Sequence, residues 1–204
     1  MITDGPKASS PVKFGFIPPV DREGVGLLED FQSGGVDIGD TSENQFFAVW
    51  KGWLDGNDIY CQREDESNSP YLITSDAGIT EISFCFDQLM RPYAAYVANG
   101  TPSLYYFDTV LNNFTTVYFA GVLSPKLTLD DKSRYGISSG ISDVMFFYLR
   151  NREIFYRMQR DRFSVEYLFA GGLPQASGII ERINKLGMDR GWRLHIELQL
   201  RKDR

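Results

Sequence analysis

The chain is poor in the residues that most site chemistry requires. Its 204 residues include one histidine, His195, and two cysteines, Cys61 and Cys85. With no CxxC pair and no Cys/His cluster, the spacings of structural zinc and iron–sulfur sites are missing. Two cysteines also cannot make a disulfide scaffold. His195 sits in the alternating run WRLHIEL, as expected of a surface strand position. No Ser or Cys signature accompanies it, so neither a Ser-His-Asp nor a Cys-His arrangement is assembled and no catalytic residue is assigned. Phosphate-cradling P-loops and dinucleotide fingerprints do not occur. Asp130 and Asp131 are adjacent, and in a strand they point to opposite faces, away from a shared cation. The reading therefore expects no metal, no cofactor and no enzymatic activity.

Long apolar runs are missing too, so no membrane span or anchor is read. The opening MITDGPKASSPVKFGF carries no apolar core of a secretory leader. Positive charge is in deficit, with 21 Lys and Arg against 27 Asp and Glu, for a net charge of −6. Such a balance argues against broad binding to a phosphate backbone. The one basic concentration, 150–162, is interleaved with strand-forming residues and reads as a solvated strand face. Helix signals are scarce, and even 178–186 aligns better as a strand.

What the chain has in quantity is aromatic and β-branched sequence, with 11 Tyr and 15 Phe, suited to half-buried pleated surfaces. It is also repetitive. FTTVYFAG (114–121) returns as FSVEYLFAG (163–171), and the likeness extends backwards through PSLYYFD and REIFYRMQRD, then RPYAAYVANG and SDVMFFYLRN, then ISFCFD and KLTLDD. A more worn copy precedes these in FFAVWKGW, DIYCQRED and PYLITSDAG. A partial copy follows in IIERINKLGMD and GWRLHIELQL. Each copy reads as about four short strands punctuated by Gly, Asn, Asp and Pro.

Repeats of this size and strand number match β-propeller blades. The expected fold is all-β: antiparallel four-stranded repeat units resembling β-propeller blades, with an extended N-terminal arm. The rival is an antiparallel sandwich or barrel whose hairpins resemble one another only in composition. The arm covers 1–44 and the repeat domain 45–204, with units at about 45–78, 79–121 and 122–171 and a partial unit at 172–204. Three units and a fraction are few for a closed propeller. Closure then falls to the N-terminal stretch, to neighbouring chains, or to an open stack with covered edges. The arm is rich in Pro and Gly with isolated hydrophobes. Phe14, Phe16, Ile17, Leu27, Leu28 and Phe31 are its candidate partner-contact residues, and the body is expected to fold without residues 1–40.

Two short features bear on ligands. Thr74–Thr80, TSDAGIT, resembles the Asp-box turn of sialidase-type propellers. It occurs once, and Glu81 stands where an aromatic residue should follow, so it supports a turn and no activity. Trp50, Trp53, Tyr105 and Tyr106 lie near hairpin ends, where exposed rings could stack on sugars.

Taken over residues 78–200, ITEISFCFDQLMRPYAAYVANG, LTLDDK, INKLGMDRGWRLHIELQ and above all the 143–163 stretch DVMFFYLRNREIFYRMQRDRF resemble structural proteins of tailed bacteriophages, of the nozzle or tail-tip type. The resemblance implies a virion protein made in the host cytoplasm and built into a symmetric tail assembly. It further implies a homo-oligomeric ring contacting other tail or connector proteins, through which DNA passes without specific binding. An acidic lumen would suit that passage, since like charges repel. The alternative function is a receptor- or carbohydrate-binding module of the virion that uses the exposed aromatics, and a propeller glycosidase is the third reading.

Overall fold

The computed structural model describes residues 29–33, 49–63, 69–87, 89, 91–129, 143–171, 179–188 and 194–201. Its fold is all-β, built of four-stranded antiparallel sheets. The first sheet comprises β1 (Glu29–Ser33), β2 (Val49–Asp55), β3 (Asp58–Arg63) and β4 (Tyr71–Ser75). The second comprises β5 (Ile79–Phe86), β6 (Pro92–Ala98), β7 (Thr101–Asp108) and β8 (Asn113–Tyr118). The third comprises β9 (Leu123–Leu129), β10 (Val144–Arg150), β11 (Glu153–Met158) and β12 (Tyr167–Ala170). In the fourth, two strands pair: β13 (Ile179–Met188) and β14 (Leu194–Arg201). In each four-stranded sheet the strands lie side by side in chain order.

Sheets follow one another as a packed series, with β1 against β5, β5 against β9 and β9 against β13. Each middle sheet is therefore buried on both faces, which explains its nearly continuous apolar strands. Along β5 and β6, Ile82, Phe84, Phe86, Ala94 and Tyr96 face a core shared with Trp50, Ile59 and Ile73 of the first sheet. The alternate residues Cys85, Tyr93 and Ala95 join Leu127, Val144, Phe146 and Tyr148 of the third sheet in a second core. In β10 the same alternation sends Phe147 and Leu149 the other way, onto Ile180, Ile183 and Leu186 of β13. Period-2 geometry makes this division automatic, and each fully buried phenylalanine contributes roughly 2 kcal/mol through the water its surface no longer orders.

The Ala-Gly of the repeat has a backbone reason at two of its three places, and Gly171 does not share it. Gly78 and Gly121 both hold positive φ (68° and 74°) where the last strand of one sheet turns into the first of the next. Only glycine adopts that conformation at little cost. At the first of these turns the Asn99 side chain donates to the Ala77 carbonyl (3.0 Å) and its backbone N–H to the Gly78 carbonyl (3.0 Å). The Asp-box-like stretch thus makes an inter-sheet turn.

One strand lies inside the stretch read as an arm. Glu29–Ser33 pairs with β2 from Glu29 opposite Trp53 to Ser33 opposite Val49, and β1 packs on β5. Part of the stretch 1–44 read as an arm is thus a strand of the first sheet. EDFQS carries no alternation of its own; pairing with β2 and packing on β5 make it a strand.

Two stability outcomes follow. A Cβ at Gly52 would lie 2.5 Å from Cδ1 of Phe84, a ring with no exposed surface and no room to move. Gly52→Ala is expected to lower the urea midpoint at unchanged slope, by the equivalent of about 1–3 kcal/mol. Deleting residues 1–40 should lower the thermal midpoint by several degrees, because β1 and its packing on β5 go with it.

Candidate functional site

The densest polar construction among the described residues joins the second and third sheets. It grows from the turn MQRDRFSVE between β11 and β12, where Gln159–Asp161 form a single 3-10 turn. Arg162 and Phe163 follow with φ of 51° and 56°, two consecutive left-handed residues that are not glycine. Such positions cost about 1–3 kcal/mol each and persist only where the surroundings impose them. Here the Arg162 N–H donates to the Gln159 carbonyl (2.8 Å) and the Phe163 N–H to the Met158 carbonyl (3.0 Å). Arg157 Nη1 donates to the carbonyls of Phe163 (2.9 Å) and Ser164 (3.0 Å). The tight turn drives the Phe163 ring across the gap between sheets, edge-on to Tyr106 at 5.0 Å and Tyr93 at 6.3 Å.

Around that ring three aspartates anchor the turn. Asp108, at the end of β7, accepts the backbone N–H groups of Val110 (2.9 Å) and Leu111 (3.1 Å) on Oδ1. Its Oδ2 accepts from Arg162 Nε (3.1 Å) and Nη2. The arginine hydrogen bonds hold the Asp108 carboxyl below its ordinary pKa. Asp87, after β5, accepts the N–H groups of Leu89 (2.8 Å) and Arg91 (3.0 Å) and the Arg91 guanidinium (2.6 Å). The Tyr93 hydroxyl donates to Asp87 (3.3 Å) and accepts from Gln159 Nε2 (2.8 Å). Burial, with the Asp87 charge second, raises the Tyr93 pKa, so the phenol keeps its proton. Gln159 closes the chain of contacts by accepting the Val144 N–H (3.1 Å), and Asp143 accepts the Arg160 N–H (3.0 Å) and pairs with its side chain (2.7 Å). Asp87, Asp108 and Asp143 each face an arginine, and the tyrosine holds its proton. The arrangement fastens two sheets and offers no free base or nucleophile.

The basic stretch is used up in the same way. Arg150 and Arg157 both pair with Glu166, which also accepts the Tyr148 hydroxyl. Burial pushes the Tyr148 phenol up to about 12. With Arg160 and Arg162 on aspartates, four arginines of this stretch pair with the fold's own acids, while Arg150, Arg160 and Arg162 keep much of their side chains in solvent.

A second charged construction ties the inner strands. The buried Glu81 carboxylate on β5 meets Lys126 of β9 at 2.9 Å and Arg182 of β13 at 3.5 Å. Its Oε1 lies close to the ammonium but off hydrogen-bond angle, so the link is ionic. Alongside, Ser83 Oγ accepts the Leu127 N–H (3.0 Å), capping a donor of β9 that no strand pairs.

Of the sequence-derived candidates, Phe14, Phe16, Ile17, Leu27 and Leu28 lie outside the described residues, as do Asp130 and Asp131. Phe31 lies in β1 opposite Lys51. His195 pairs with Gly187 in the fourth sheet. Trp50 and Tyr106 are buried in the two cores, so neither ring can stack on a sugar. Apolar packing between sheets took those two rings, which corrects the reading of them as exposed. Trp53 is half-buried and stacks on Tyr60 at 6.0 Å, and Tyr105 stacks on Phe114 at 5.0 Å, almost parallel. Cys61 and Cys85 lie in separate cores and form no disulfide, and burial pushes the Cys61 thiol up to about 12. Among the described residues no group of three or more His, Cys, Asp or Glu side chains is placed to hold a metal, and no helix is long and apolar enough to cross a membrane.

Sequence reading missed Asp108, Asp143, Gln159 and Phe163 as one assembly. Their only linear signal is the density of Asp and Arg in MQRDRF, which also describes a solvent-exposed turn. No family model matches the chain, and no curated protein or solved structure matches it at a significant level.

Asp108 sets a pH dependence. Its folded pKa lies below the unfolded value near 3.8, so its stabilising contribution is complete above that value and is lost as pH falls through the lower folded one. Urea midpoints measured from pH 6 down to pH 2.5 should fall for the wild type. Asp108→Asn should start lower at pH 6 and decline less; an equal decline would remove Asp108 from the acid response.

Proposed function

We propose that the chain is a non-enzymatic structural component of a bacteriophage tail, of the nozzle or tail-tip type, which works by protein–protein contact. The observation that carries this reading is the large apolar side chains that stand exposed on the outer strands of the sheets among the described residues: Tyr71, Leu72, Tyr118, Leu168 and Phe169. Uncovered strand edges and apolar faces are liabilities in a solitary protein, and neighbouring protomers in a closed symmetric assembly remove them. The resemblance over residues 78–200 supplies the kind of assembly.

The polar groups fit the same reading, because those that come together serve to hold sheets in place. On the inner strands Glu81 pairs with both Lys126 and Arg182. A sugar-binding module is weakened by the loss of Trp50 and Tyr106 into the cores.

The test is a stop codon early in the gene in an otherwise intact phage genome. Particles examined by negative-stain microscopy should lack the tail end and fail to infect, while plating on a suppressor host restores both. Complete, infectious particles without the protein would overturn the proposal. In parallel, light scattering on the purified chain should give a defined multiple of 23.2 kDa.

A further inference from the structure

The tip of the hairpin between β6 and β7 carries a covalent weak point at the place where it fastens the first sheet to the second. Residues 99–100 are the chain's one Asn-Gly pair. In that dipeptide the glycine nitrogen can attack the asparagine side-chain carbonyl carbon, because the residue that follows has no side chain to stand in the way. Both residues are exposed, with φ of 50° and 76°, the left-handed pair that suits a two-residue hairpin tip. Space around Gly100 is open, since a Cβ built there would meet nothing within 4 Å. Water reaches the tip, and a hairpin end opens locally without the rest of its sheet.

The amide that is open to reaction also holds a turn. Asn99 Nδ2 donates to the Ala77 carbonyl (3.0 Å), and the Asn99 backbone N–H donates to the Gly78 carbonyl (3.0 Å). Asn99 Oδ1 lies so close over Gly78 that a Cβ on that residue would sit 2.4 Å away. The Ala77 N–H is already taken by the Asp76 carboxylate (2.8 Å). The Asn99 side chain thus ties the hairpin of the second sheet to the turn that leads out of the first.

We propose that Asn99 is a site of spontaneous deamidation and that the conversion releases this turn. The Gly100 nitrogen bonds to Asn99 Cγ, the Cγ–Nδ2 bond breaks, and ammonia leaves with the proton that the Gly100 nitrogen loses. The cyclic imide then takes up a water molecule and opens at either carbonyl, with no change of oxidation state. One opening gives aspartate at 99; the other gives isoaspartate, which puts an extra carbon into the main chain. Either product has lost Nδ2, the donor to Ala77. A carboxylate only accepts hydrogen bonds, so two acceptors then face each other. Isoaspartate also lengthens the tip and disturbs the pairing of Ala98 with Thr101 beside it.

The chain holds its own controls. Asn112 and Asn151 also have positive φ in hairpin turns (50° and 53°), but Asn113 and Arg152 follow them, and those side chains hinder the nitrogen's approach. The full chain is kept in warm, mildly alkaline buffer and sampled for peptide mapping by mass spectrometry, with isoelectric focusing of the intact protein in parallel. The expected result is the mass gain of an amide becoming an acid at Asn99, several-fold faster than at Asn112 or Asn151, with a growing isoform one charge more acidic than the starting net −6. That isoform and an Asn99→Asp variant should both melt a few degrees below the wild type and exchange the Asn99 amide proton faster. Conversion of Asn99 only in the urea-unfolded chain, or no faster than at the other two asparagines, would overturn the site. An acidic isoform and an Asn99→Asp variant that keep the wild-type midpoint and exchange rate would overturn the release of the turn.

Discussion

Everything in this fold depends on burying both faces of a β-sheet at once. An antiparallel sheet with one apolar face can sit half in water, but the second and third sheets have apolar residues on both sides of β5, β6 and β10. A strand so placed cannot reach its stable state without a sheet on either hand, so the fold propagates as a series. Stability is then shared among interfaces between neighbours, and the last sheet in line presents the problem anew.

The interface between the second and third sheets is the most heavily fastened. Phe163 enters it from a strained turn, and Asp87, Asp108, Gln159 and Arg162 hold that turn in register. Aromatic packing is tolerant of small slips along a strand, whereas a bidentate arginine and a buried carboxylate are not. The polar contacts thus specify one arrangement that the hydrophobic effect alone would leave degenerate. Glu81 does the same at the inner edge, where one carboxylate meets cations from the next two sheets.

The same logic explains why the outer strands are where function is to be sought. Among the described residues, interior polar groups are committed to each other, and the exposed apolar side chains include those of β4, β8 and β12.

The repeat was legible because four strands in chain order, each turning sharply into the next, leave the same local marks every time. Alternating or continuous apolar runs mark the strands, and Gly78 and Gly121 mark the turns that demand positive φ. Those are properties of single strands and single turns, which sequence by itself determines. Tertiary structure alone decided the rest. EDFQS became β1 only because β2 and β5 offered it partners. Trp50 and Tyr106 were withdrawn from the surface by sheets that lie far away in sequence. Asp108 met Arg162 across 54 positions, and Asp87 met Gln159 across 72. Pairings of that span depend on how whole sheets stack, and no local pattern of residues encodes the distance between two sheets.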